Sequence, residues 1–162
     1  MNSNDVLRRL RLFLLVLASL VFAGALFELV LSEHTETLVQ WIPFILSGLG
    51  IAAILAALIS PQRLTLIALR LVMVLVVLGS LLGVYEHLVN NIGLELEIRP
   101  NATVVSVFME ALKGASPLLA PGMLAVAAII AIAATYYPVS YTHLHVARAD
   151  LSLGYNRNVQ RV

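Results

Sequence analysis

The sequence predicts an all-α membrane protein: four transmembrane helices arranged as two helical hairpins, with a short amphipathic interfacial helix between helices 3 and 4. Three observations carry that reading. The chain is 60% hydrophobic and only 12% charged, where soluble domains are nearer half apolar and a quarter charged. Four of its apolar stretches approach the roughly 20 residues needed to cross the hydrocarbon of a bilayer. Its basic residues are sorted between alternate loops.

The spans are expected at about 12–31, 39–59, 66–88 and 118–137. The first begins after "RRLR" and contains Ala23-Gly24-Ala25, which resembles the cleavage site of a signal peptide. Its apolar run continues unbroken to Leu31, which is long for a signal core, so it reads as a retained helix. Two charges fall inside the spans, Glu28 near the end of helix 1 and Arg70 one turn into helix 3, and both are expected to snorkel to the nearest interface.

Orientation follows from Lys and Arg. Arg8, Arg9, Arg11, Arg63, Arg70, Arg148, Arg157 and Arg161 lie on one side, against Arg99 and Lys113 on the other. Glu28, Glu33, Glu36, Glu86, Glu95, Glu97 and Glu110 share the Lys-poor side. The chain is therefore expected to be a multi-pass protein of the inner (plasma) membrane, with both termini cytoplasmic and the acidic loops outside.

The connection between helices 3 and 4 is too long for a bare turn. "ELEIRP" alternates acid and apolar before a proline and reads as an extended segment, with Leu94, Leu96 and Ile98 on one surface. A helix over about 102–113 follows, with Asn101 as N-cap and Gly114 as its stop. Val104, Val105, Phe108, Ala111 and Leu112 form its apolar stripe, so it is expected to lie flat at the outer interface.

Helix 4 opens with "PLLAPG", where Pro121 lacks the N–H that would bond back to the carbonyl of Pro117. Helix 2 opens with "PFILSG", and each follows an outward helix ending in Glu-His, at Glu33–His34 and Glu86–His87. That pattern hints at a duplicated hairpin. Small residues recur at packing spacing, as in Gly79-x-x-x-Gly83 and Gly48-x-x-x-Ala52. Residues 1–137 thus form the transmembrane domain. From 138 to 162 the chain is polar and aperiodic and reads as a disordered cytoplasmic tail. Its start, "VSYTHL", resembles translated adapter sequence, which opens the reading that the tail is not native.

Chemistry is sparse. Serine nucleophile elbows, phosphate-binding glycine loops and dinucleotide fingerprints are absent, and with no cysteine there are no thiolate metal sites, thiol relays or disulfides. The one polar constellation is Gly83, His87, Asn91 and Glu95, spaced by four on a continuing helix face. An imidazole, an amide oxygen and carboxylates together can ligate a divalent cation, so His87, Asn91, Glu95, Glu97 and Glu110 are the candidate metal ligands, roofed by the interfacial helix. The same residues also suit a solvated helix end.

"GVYEHLVNNIGLELEIRP" followed by "FMEALKGASPLLAPGM" resembles an uncharacterised family of small bacterial four-helix integral membrane proteins. The family pattern is G-x-x-x-H-x-x-x-N-x-x-x-E-x-E-x-x-P, then F-x-E-A-L-x-G-A-x-P-x-L-A-P-G. The likeness covers Gly83 to Gly122 and implies architecture without an activity. The sequence thus leads to an accessory or structural membrane component, not an enzyme, with the bilayer and a membrane protein or second copy as partners and no nucleic acid. The competing class is a small transporter or ion-binding protein using the His/Asn/Glu cluster, with a divalent metal as its only cofactor.

Overall fold

The computed structural model describes residues 3–136. Among them the chain forms five helices and no strand: α1 (Ser3–Leu31), α2 (Trp41–Ile59), α3 (Arg63–Ile98), α4 (Val104–Ala111) and α5 (Leu119–Ala134). The tail expected at 138–162 lies outside the described residues, as does Tyr137, the expected end of the last span.

Helices α1, α2 and α3 are each long and apolar enough to cross a membrane. The apolar helix α5 is shorter, at 16 residues. The four long elements close a ring in which α1 lies beside α2 and α5, α3 lies beside α2 and α5, and α2 meets α5 across one diagonal. One end of this bundle, called proximal here, carries the N-terminal arginines and the α2–α3 turn. The distal end carries the α1–α2 loop and the connection from α3 through α4 to α5.

A seam at heptad spacing on α3 explains the packing. Leu66, Leu69, Met73 and Val76 are buried along it. They meet Leu15, Ala18 and Phe22 of α1, Ile54 and Ala57 of α2, and the alanines Ala127, Ala128, Ala131 and Ala134 of α5 in one core. Small side chains on α5 let its neighbours approach closely. Outward-facing residues such as Phe13, Leu20, Leu71 and Leu78 are exposed and apolar, as befits helices bounded by lipid.

The glycines sort by neighbour. A Cβ at Gly79 would fall on Leu46 of α2, and one at Gly83 would lie 3.0 Å from Cβ of Pro121 on α5. One turn apart, the pair seats two different helices on α3. Gly48 and Gly122 have nothing within 4 Å, so neither serves a close contact within the chain. In the head of α5 the contact residue is Pro121.

Two further expectations are corrected. "ELEIRP" is not extended: α3 runs unbroken for 36 residues to Ile98, about 54 Å at 1.5 Å per residue. Leu and Glu are strong helix formers, and Arg99 pairs with Glu95 one turn back at 2.8 Å. Pro100 then ends the helix, because the residue before a proline is pushed out of the α region. The N-cap of α4 is Thr103, not Asn101: Thr103 Oγ1 accepts from Ser106 N while Ser106 Oγ accepts from Thr103 N.

Arg70 is exposed on α3 and has a partner within the chain. Its guanidinium donates to Oγ1 and to the carbonyl oxygen of Thr135, at the C-terminus of α5. A cation there meets both unpaired carbonyls and the negative end of the helix dipole.

Candidate functional site

At the distal end the α3 seam changes character. After Val76 its next members are Ser80, Gly83, His87 and Asn91. The two last are the functional groups that hold the α4–α5 connection in place.

Asn91 is buried, 1% exposed. Its Nδ2 donates to the carbonyl oxygens of Ala111 (3.0 Å) and Ser116 (2.9 Å), and its Oδ1 accepts from Ser116 N at 2.9 Å. Gly114 passes so close that a Cβ there would stand 2.5 Å from Asn91 Cγ. One turn earlier, His87 Nδ1 lies 3.0 Å from the carbonyl oxygen of Pro117. A carbonyl only accepts, so the proton sits on Nδ1. His87 thereby occupies the carbonyl that Pro121 has no N–H to meet.

Of the five candidate metal ligands, then, Asn91 has its amide committed to backbone and His87 has one ring nitrogen committed likewise. Glu95 and Glu110 share a cation already within the chain: Arg99 Nη2 is 2.8 Å from Glu95, and Nη1 is 4.0 Å from Glu110. Glu97 is exposed near the end of α3. Among the described residues no three His, Asp or Glu side chains converge as a metal-ligating group. The spacing by four delivered one helix face as expected, but that face grips a loop.

The second histidine at this end is His34, from the Glu33–His34 pair of the first loop. Helix α1 ends in a Schellman turn, in which Glu33 N donates to Val30 O and His34 N to Leu29 O. Glu33 occupies the left-handed position with φ 50°, where glycine is the usual residue. The turn folds His34 back over the bundle, and its ring stands edge-on to His87 with centroids 6.3 Å apart. Burial holds His34 below the ordinary imidazole value of 6.5, His87 adds to that effect, and Glu36 opposes it. The repeated Glu-His dipeptide was the sequence signal for this meeting.

Beneath the two rings lies a cavity of about 690 Å³ bounded by α1, α2, α3 and the head of α5. Ala25, Leu46, Gly79, Ser80 and Leu124 form its deeper wall, while Glu28, His34, Glu86, His87 and Asn90 stand towards the distal rim. The Ser80 hydroxyl is 2% exposed and has no hydrogen-bond partner among the described residues. No protein-family model, curated protein or solved structure matches this chain.

Proposed function

We propose that this is a non-enzymatic accessory protein of the bacterial inner membrane that holds an amphipathic membrane component in the cavity between its helices. In this reading α5 completes a fourth span, both termini are cytoplasmic, and the distal end faces outward. The excess of arginine at the proximal end supports that orientation. Helix α4 lies in the outer interface. It turns Val107 and Ala111 towards α3 and leaves Val105, Phe108 and Met109 exposed, which is an apolar face suited to the headgroup boundary.

The carrying observation is the cavity itself. It has the volume of a small-ligand site, an apolar lower wall and a rim of ionisable and hydrogen-bonding groups. That division suits an amphiphile lying with its polar end at the membrane surface.

Two measurements test the proposal. The chain has no cysteine, so Glu36→Cys, Glu97→Cys and Arg63→Cys can be labelled singly: the first two are expected to react from outside and the third only from inside. Labelling of position 63 from outside would overturn the orientation. For the cavity, the protein is extracted into polymer-bounded discs and its retained small molecules are identified by mass spectrometry. Ala120→Trp, which fills the cavity from α5, should lose whatever the parent protein retains. Equal retention by both would overturn the cavity reading.

A further inference from the structure

We infer that the cavity selects an amphipathic organic cation: an ammonium or protonated amine on an apolar body. This rests on the cavity reading above and adds the charge of the ligand. Two carboxylates, Glu28 and Glu86, line the cavity from opposite helices, and among the described residues no lysine or arginine lines it. Of the two distal basic residues, Arg99 is taken up by Glu95 and Glu110 and Lys113 is not among the residues lining the cavity. His34 offers no compensation at neutral pH, since burial and His87 keep it uncharged. Glu28 is exposed and Glu86 half-buried, so neither charge is costly to keep, but two like charges at one opening raise the local concentration of a cation and favour its binding.

The same field repels phosphate and carboxylate headgroups. A bare divalent ion is disfavoured on geometry, because no three ligating side chains converge among the described residues. The apolar wall asks for a hydrocarbon or aromatic body.

The test uses the full chain in lipid discs and two probes of matched size, dodecyltrimethylammonium and uncharged dodecyldimethylamine oxide, below their micellar concentrations. Binding is followed by calorimetry and by fluorescence of Trp41, the only tryptophan in the chain. The cation should bind at least tenfold more tightly than the amine oxide. Glu28→Gln with Glu86→Gln should abolish that preference while leaving the melting temperature close to that of the parent. Equal affinity for the two probes, or a preference that survives both substitutions, overturns the cationic class and leaves the cavity reading standing. Failure of both probes to bind, with Ala120→Trp also retaining the parent's molecules, overturns the two readings together. An amine lipid that co-purifies with the parent and is lost in the Gln variant identifies a membrane source. Its absence, with the added cation still binding, identifies a soluble one.

Discussion

His87 and Pro117 are thirty positions apart in the chain, yet one ring nitrogen and one carbonyl oxygen meet at 3.0 Å. Pro121 is the third residue of α5, where a backbone N–H has no partner within the helix in any case; the Pro117 carbonyl just ahead of the helix receives a side chain from α3.

His87→Ala is therefore expected to destabilise the protein by about 0.5–1 kcal/mol, the net worth of one hydrogen bond to an exposed acceptor that water can replace. Reversible denaturation in mixed micelles measures the variant, and an unchanged stability would assign the role of His87 to something other than this bond.

Asn91→Ala removes three hydrogen bonds at a buried position and should cost about 2–3 kcal/mol. Gly114→Ala should also destabilise, because its Cβ collides with Asn91 Cγ. The two effects should not add. Once residue 91 is alanine the clash with Cγ is gone while that with its Cβ, at 2.8 Å, remains, so Gly114→Ala should cost less in that background than in the parent but still destabilise.

The glycines of the spans separate in the same assay. Gly83→Ala presses a Cβ onto the rigid ring of Pro121 at 3.0 Å, and is expected to lose about 1–3 kcal/mol as an overpacked contact. Gly48→Ala meets nothing within 4 Å, so it should be neutral or gain a few tenths of a kcal/mol from helix propensity. Equal losses at the two positions would mean that Gly48 is covered by a partner molecule.

Acid should weaken the folded state through His34. Its folded value lies below the ordinary 6.5, so the unfolded chain takes up the proton first as pH falls. The stability tied to neutral His34 is fully present above the unfolded value and is lost as pH drops through and below it. His34→Gln should flatten that part of the stability profile between about pH 7 and 5. An unchanged slope would show that His34 exerts no net linkage.

The long helices were legible because period and composition state them directly: Leu66, Leu69, Met73 and Val76 announce an inward seam. The partner of Arg70 was not legible, because hydropathy cannot see that the C-terminus of α5 comes within its reach. The end of α3 was misread for a different reason. Alternating Glu and Leu satisfies a strand period, and only the i,i+4 pair of Glu95 with Arg99, together with the propensity of those residues, argues for helix. At the site, the spacing of His87 and Asn91 gave one face correctly. What that face touches depends on where a loop from later in the chain returns, and no local pattern encodes it. The partners of Asn91, the backbone of Ala111 and Ser116, were therefore not legible.

All four bonds that His87 and Asn91 send across to the α4–α5 connection end on main-chain atoms. Helix α3 thus recognises the path of that connection and not its side chains. Leu112, Lys113 and Ala115 point outward within it and are free to drift in identity, provided Gly114 stays small. Its length has no such freedom. Ala111 and Ser116 must reach one amide together, so inserting or deleting a single residue between them would slip the register of the clasp and leave α5 to start without its anchor.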